Sequence, residues 1–407
     1  MKIDRRLRTA CWVMGVLLVL ALLRDVLANG RPLFCRLEGQ VYYPGLRTIL
    51  VRPEVSYGNR TIDSLELTRG WRAYRKYDAV LFAPIPFSPG EKEPRANGGL
   101  GAQGPGSLAN DGGRGYRHWL GTDDDGRDVT AGMIAGARIA LLTGLVAMGL
   151  ALLIGIFLGA LAGFWGDDRL QTRLGRLLAT LPGLPVAWFY AFVAGPYVAP
   201  TAVIWMKNLL IFVGIVLIFN ILGKWLSRLP GLSRLVILPA DLLVMRFGEI
   251  FNALPKFIFL LIVARLFGGQ QSILLMIALI GALSWPHVAS LVRAEMLRVR
   301  ALDFVLAARG LGLPEVQVLL RHALPNALRA AYMAAALGVA GAIQLEAALS
   351  FLGLSGAGME GASWGMLLHA AREARSAWWL ALPPGLAICI VVLALNRVSE
   401  VVSERKS

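Results

Sequence analysis

The chain has 407 residues, 56% of them hydrophobic and only 16% charged, with a mean hydropathy of +0.60. Soluble domains carry roughly 25% charged residues, so the composition excludes an ordinary water-soluble globule and points to a bilayer as solvent. The net charge of +15 comes without basic-aromatic motifs for nucleic acid, which is not an expected partner; it fits Arg and Lys gathered in short cytoplasmic loops.

A helix needs roughly 20 apolar residues to cross the hydrocarbon. Eight runs qualify, at 10–27, 137–164, 184–206, 208–223, 252–268, 272–292, 328–352 and 377–396. An all-α integral membrane protein of about eight spans is therefore expected. The first run follows Lys2, Arg5, Arg6 and Arg8, continues through Val26 and Leu27, and shows no small-x-small cleavage site. It reads as an uncleaved helix (1–28) rather than a signal peptide, with its N-terminus in the cytoplasm. Alternation from there puts 29–117 outside. It puts Arg169, Arg173, Arg176, Lys224, Arg228, Arg234, the basic stretch 293–329 and the tail 401–407 inside. Cys11, Cys35 and Cys389 have no metal or redox spacing.

The outer segment carries short β-like runs at 40–43 and 48–51, a sequon at Asn59, and a Gly-rich stretch, 88–115, that reads as a flexible linker. Next comes HWLGTDDDGRDV, from His118 to Val129. Its Asp123, Asp124, Asp125 and Asp128 miss the calcium-loop spacing, and a turn with Asp128 or Thr130 capping the following helix is the expectation. That helix carries Gly155, Gly159 and Gly163, a small-residue stripe suited either to packing within the chain or to a subunit interface. Asp168, Arg173, Gly175, Leu181 and Pro182 are echoed by Asp241, Arg246, Gly248, Leu254 and Pro255 in the pattern D-x4-R-x-G-x5-LP. Residues 169–240 read as an inserted block with both ends inside, adding an even number of spans.

The most informative stretch is 295–329, EMLRVRALDFVLAARGLGLPEVQVLLRHALPNALR. Residues 301–309 have helical character, Gly310 and Gly312 permit a sharp turn, Pro314 suits the first turn of a second helix, and Pro325 ends that helix or tilts it into the next span. An amphipathic helix–turn–helix between two spans either docks a cytoplasmic partner or lies on the membrane surface. No G-x4-G-K-S/T loop occurs, so any ATP must be handled by a partner. No metal site, catalytic grouping or cofactor is expected in this chain. Glu346, inside an apolar run, should face a cavity or make an interhelical polar contact, since a lone carboxylate there costs about 2.5–3.5 kcal/mol.

The 295–327 stretch resembles the EAA loop of ABC-importer permeases, E-A-A-x3-G-x9-I-x-L-P. Leu306, Ala307 and Ala308 fill the first triplet, Gly312, Leu324 and Pro325 keep the spacing, and Leu306 and His322 stand where the pattern has Glu and Ile. HWLGTDDDGRDV, the run SWPHVASLVR from Ser284 and the run SFLGLSGAGMEGASWG from Ser350 are similar to stretches of the C-type permeases of dipeptide and oligopeptide importers. The resemblance implies a type I permease core of six helices, beginning at 118–168 and completed by 241–400, with 169–240 as an added helical pair. It implies an ATPase-coupling loop using Asp303, Ala307, Ala308, Gly312, His322, Leu324 and Pro325, and alternating access. It further implies a B-type partner permease, two ATPase subunits, a periplasmic solute-binding protein and a bacterial inner membrane, with peptides as cargo or, within the family, nickel or another small solute. A stand-alone secondary transporter or channel is the competing class, and the D-x4-R-x-G-x5-LP echo is its support. A membrane-anchored sensor would need a cytoplasmic output domain.

Overall fold

The computed structural model describes residues 5–45, 71–74, 76–93, 101–109, 115–167, 171–194, 202–266, 273–354, 363–374 and 376–404. The run 48–51, the sequon at Asn59 and Asp168 of the echo lie outside them. Among the described residues the α-helices of eight residues or more are, in chain order, α1 (Arg5–Leu22), α2 (Val129–Trp165), α3 (Leu174–Trp188), α4 (Ala202–Leu226), α5 (Ala240–Ala253), α6 (Lys256–Leu266), α7 (Ile273–Ala282), α8 (Trp285–Val299), α9 (Asp303–Gly310), α10 (Leu324–Phe351), α11 (Trp364–Glu373) and α12 (Trp378–Glu404).

Among the described residues six helices are long and apolar enough to cross a membrane: 129–165, 174–193, 206–226, 273–299, 331–351 and 378–401. The expected span 252–268 takes a different form. It is the second half of a broken pair, α5 and α6, bent by 71°. Pro255 causes the break, because it offers no N–H to α5 and drives Leu254 out of helical geometry. At 11 residues, α6 is too short to cross alone. The first span is also interrupted. Its apolar helix breaks at Leu23, and a short second helix, Arg24–Leu27, completes the run; in it Asp25 pairs with Arg138 of α2 at 3.0 Å. The third expected span, 184–206, begins ten residues earlier, at Leu174, and takes Pro182 and Pro185 into its interior. Membrane helices tolerate such prolines because neighbouring turns re-satisfy the freed carbonyls; here a π-helical turn, Phe189–Val193, follows. The echo is therefore not a structural repeat: Leu181-Pro182 sits inside a continuous helix, whereas Leu254-Pro255 breaks one.

The chain divides into two compact units. In the first (1–157, 248–292, 324–407), α10, α11 and α12 pack on one another and α1 lies on α12. Its core joins Ala147 of α2 to Leu260 and Ala264 of α6, Ile277 and Ile280 of α7, and Ala342 and Leu349 of α10. Gly155 seats α8, because a Cβ there would come within 2.6 Å of Val288. A three-stranded antiparallel sheet, β1 (Phe34–Leu37), β2 (Gln40–Tyr42) and β3 (Ala79–Leu81), has the order β2-β1-β3. Cys35, Leu37, Trp71 and Phe82 form its small core. The Gly-rich stretch is not a free linker over 101–109. Strand β4 (Ser107–Leu108) pairs with β5 (Arg117–His118), Ala102 N–H donates to Asp124 Oδ1 at 2.8 Å, and Gln103 N–H donates to Thr122 Oγ1 at 3.0 Å. These hydrogen bonds order it, with Ala102 and Ala109 packed against apolar clusters.

In the second unit (158–247, 293–323), α3 and α4 form a hairpin packed on itself. Gly183 lets α3 approach Phe219, where a Cβ would come within 2.6 Å. The hairpin's base is closed by β6 (Gln171–Arg173) pairing antiparallel with β7 (Leu235–Ile237), in the register Gln171↔Ile237. Entry and exit of the block 169–240 thus lie side by side, the geometry an insertion needs if the surrounding chain is to stay undisturbed.

Candidate functional site

The elbow sits in the second unit. Helix α9 starts at Asp303, two residues later than expected. The chain reverses through Leu311 and Gly312 (φ +76°) and resumes after Pro314 with a short turn, Glu315–Gln317. A non-glycine residue at that φ is strained whatever space surrounds it. The second limb then widens into a π-helical turn, Val318–Ala323, before α10. Pro325 supplies the reason: its ring would clash with the carbonyl four residues back, at Arg321, and a wider turn relieves the clash. Pro325 neither ends nor breaks the helix, which runs on to Phe351.

One face of the elbow is anchored. Val305, Ala308, Val318, Leu319 and Ala323 are buried. The Arg309 guanidinium donates to Glu315 Oε2 from Nε (3.2 Å) and from an Nη (3.1 Å), tying the two limbs across the turn, and stacks over the buried Phe164 ring at 4.8 Å. Arg300 Nη1 donates to the Gly163 carbonyl at 3.0 Å, placing a cation at the carbonyl end of α2. Arg293 and Asp241 form an ion pair. Gly163 takes the Met296 side chain where a Cβ would come within 2.7 Å. The small-residue stripe is thus used for packing within the chain.

The other face is open. Asp303, Ala307, Gly312 and Pro325 are exposed, His322 and Leu324 are half-buried, and Ala308 faces inward. Asp303, Ala307, Ala308, Gly312 and His322 lie along the elbow, Leu324 and Pro325 open α10, and the most exposed large apolar side chain of the elbow is Leu311, at 82%, with Leu306 and Leu320 at 50% and 57%. Sequence reasoning missed Leu311 and the Arg309–Glu315 tie. Opposite charges flanking the Gly-Leu-Gly-Leu-Pro turn were the available signal.

In the first unit, the stretch that begins at His118 is built as a turn and cap. Gly121 and Gly126 hold φ +81° and +79°, and Asp123 Oδ1 accepts the Arg127 N–H at 2.8 Å. Asp128 caps α2, its Oδ1 accepting the Ala131 N–H at 2.7 Å. Its Oδ2 lies 2.8 Å from His118 Nδ1, and the other His118 ring nitrogen lies 2.9 Å from Glu93 Oε2. Glu93 also pairs with Arg72 at 3.1 Å, and Arg72 pairs with Glu91 at 2.9 Å. Phe87 stacks on the imidazole, with ring centroids 4.2 Å apart. Burial alone would lower the His118 pKa, but the hydrogen bonds to Asp128 and Glu93 and the charges behind them win, raising it from 6.5 to about 9. Burial would raise the Glu93 carboxyl; His118 and Arg72 outweigh it and hold it below the usual range.

Glu346 is buried in α10 and accepts the Ser350 hydroxyl at 2.7 Å. That bond lies within α10, one turn along the same helix. Ser363 caps α11, its hydroxyl accepting the Met366 N–H at 3.2 Å. Trp364 Nε1 donates to the Met133 carbonyl at 3.0 Å, and a Cβ on Gly365 would come within 2.6 Å of Ser350. These contacts give the S-W-G run a packing role. Gly365→Ala should therefore destabilise the purified chain by about 2 kcal/mol or more through overpacking, seen as a lowered melting midpoint in detergent, while Gly385→Ala, with open space around it, should not. Glu346→Gln should melt close to wild type, because an amide still accepts from the Ser350 hydroxyl; Glu346→Leu should melt lower by about 1–3 kcal/mol through the orphaned hydroxyl.

A multi-pass helical body with an exposed elbow between two spans is the architecture of a membrane permease subunit. The chain belongs to the family described as the binding-protein-dependent transport system inner membrane component, which residues 238–406 match. A putative peptide permease of Brucella suis biovar 1 is 32% identical over 289 residues, covering 70% of this chain and 71% of that protein. The dipeptide transport system permease of Alkalihalophilus pseudofirmus is 27% identical, covering 79% of this chain and 78% of its own length. A peptidoglycan transport system permease of Agrobacterium fabrum is 26% identical over 99% of this chain and 90% of its own length, so that alignment runs through both the outer segment and the 169–240 block. The protein is a multi-pass inner-membrane permease of a binding-protein-dependent ABC importer, from a family of transport permeases rather than enzymes that works with ATPase and binding-protein partners.

Proposed function

We propose that this permease carries peptides, and that its elbow, with Asp303, Ala307, Ala308, Gly312, His322, Leu324 and Pro325 along it, receives the stroke of an ATPase. The observation that carries the coupling role is the pairing of an anchored inner face with an open apolar outer face across the Arg309–Glu315 tie. A rigid elbow transmits a push, where a loose loop would absorb it. In this reading a B-type permease completes the path, two ATPase subunits hydrolyse ATP outside this chain, and a periplasmic binding protein delivers the solute. Both termini lie in the cytoplasm, and spans rock as rigid bodies between inward and outward access. No cofactor is assigned to the chain itself.

The peptide cargo is supported by the names of the Brucella and Alkalihalophilus relatives. The near full-length match to the Agrobacterium permease favours a second reading, peptides derived from peptidoglycan. Reconstitution in vesicles with the partner permease, ATPases and binding protein tests both. ATP-dependent uptake of a labelled tripeptide supports the first, uptake confined to a labelled muropeptide supports the second, and uptake of neither, with ATPase activity intact, removes both.

A further inference from the structure

Between positions 169 and 240 there are seven basic residues (Arg169, Arg173, Arg176, Lys207, Lys224, Arg228 and Arg234) and no acidic one. The fold gathers five of them at one end of the α3–α4 hairpin. Arg173 lies in β6, opposite Leu235, and Arg234 immediately precedes β7. Leu174 N–H donates to the Arg234 carbonyl and Gly175 N–H to the Leu232 carbonyl, both at 3.0 Å. Gly223 has no side chain, so the backbone of Arg176 passes close beside it, where a Cβ would come within 2.7 Å. Lys224 is therefore a neighbour of Arg176, and Arg228 follows one turn later, its guanidinium 5.5 Å above the Trp225 ring. Arg173, Lys224, Arg228 and Arg234 are exposed, and none of the five makes an ion pair among the described residues.

Apolar side chains stand among these cations: Trp225 is 70% exposed, and Leu229, Leu235 and Ile237 are also exposed. Above this base the hairpin offers apolar surface on both helices, including Leu181, Leu184, Leu217 and Ile218. Hydrocarbon-facing flanks ending in a ring of unneutralised cations, with an interfacial Trp and aliphatic residues between them, match the boundary of acyl chains and headgroups. The geometry points to a binding surface for anionic phospholipid headgroups at the base of the inserted hairpin, so that the block 169–240 acts as a lipid-held outrigger of the permease. Charge complementarity selects the occupant. A zwitterionic headgroup leaves the cations uncompensated, and each Lys or Arg near an anionic surface favours binding by about five-fold. The inference rests on the hairpin crossing the membrane and is independent of cargo and of the elbow's role.

The test uses the full chain, co-expressed with its partner permease and purified in mild detergent, with the co-purified phospholipid extracted and its anionic-to-zwitterionic ratio compared with that of the host membrane. Wild type should exceed the membrane ratio several-fold. Combining Arg173→Gln, Lys224→Gln, Arg228→Gln and Arg234→Gln should return the ratio to that of the membrane, with helical circular dichroism unchanged, whereas Lys at the three Arg positions should keep the enrichment. The proposal is overturned if wild type shows no enrichment, or if the four-fold Gln variant enriches anionic lipid as wild type does. It is equally overturned if wild type, stripped of lipid, retains an acidic protein that the Gln variant loses. Uptake of solute is not part of the readout, so failure here and failure of the transport reading are separate results.

Discussion

Leu311→Asp is expected to lower ATP-driven uptake at least ten-fold while leaving the chain folded and in the membrane. Leu311 stands at the tip of the elbow with 82% of its surface exposed, so the protein's own stability has little to lose. If that side chain seats in a groove on the ATPase, its burial contributes about 1.5–3 kcal/mol, and an unpaired carboxylate in the same groove adds a further cost. A factor of ten in affinity corresponds to about 1.4 kcal/mol, so the loss should reach one to two orders of magnitude. Leu311→Ala should fall between. The two readouts are the ATPase retained on the purified complex and the ATPase rate stimulated by loaded binding protein. Unchanged retention and uptake in Leu311→Asp would exclude the elbow tip as the contact. Glycine positions supply a control on shape: Gly312→Ala meets open space but strains the backbone at φ +76°, whereas Gly310→Ala meets open space without that strain. Only the former should reduce coupling.

The second large effect is a pH dependence seated at His118. Its folded pKa, about 9, lies above the ordinary 6.5. Its contribution to stability is therefore complete below about pH 6.5 and is lost as the pH rises through about 9. Glu93 has the opposite sign. Its folded value is lowered, so its contribution is present above the ordinary carboxylate value and lost as the pH falls through the folded one. Between these limits the His118 imidazolium and the Glu93 carboxylate are both charged and paired, and the outer segment is most firmly held to the cap of α2. A rise from 6.5 to about 9 corresponds to a contribution on the order of 3 kcal/mol. The melting midpoint of the full chain in detergent should drop between about pH 6 and pH 10, and His118→Gln should start lower and flatten that slope. A slope as steep in His118→Gln as in wild type would place the titration elsewhere. Because Asp128 serves both His118 and the Ala131 N–H, Asp128→Ala should weaken the helix start as well as the pH response.

Much of this protein was legible without coordinates. Apolar runs marked the spans at 137–164, 208–223 and 328–352 to within about eight residues of the helices observed, because a bilayer imposes length and polarity on any helix that crosses it. The elbow was legible from Gly312, Pro314 and Pro325, whose backbone restrictions act locally. The break at Pro255 and the early start of α3 were not. Whether a proline interrupts a helix depends on what surrounds the freed carbonyl, and that is a property of neighbouring turns. Cluster partners were harder still. His118, Asp128 and Glu93 span 35 positions and Arg72 lies further back, and nothing in 88–115, a stretch that reads as solvent-exposed, announces that Glu91 and Glu93 turn inward.

Composition and local pattern alone determined that the chain lives in a bilayer, that its spans alternate with basic loops, and that an elbow of this shape lies between two of them. These follow from short-range physics: transfer of apolar surface, the charge preference of loops, and the φ and hydrogen-bond limits of Gly and Pro. Tertiary structure alone decided that Arg309 clamps Glu315 over Phe164, that Trp364 donates to the Met133 carbonyl, that the ends of 169–240 meet in a two-stranded ribbon, and that His118 lies between two carboxylates. Each depends on groups far apart along the chain being brought within hydrogen-bonding reach, and such pairings follow from how elements pack.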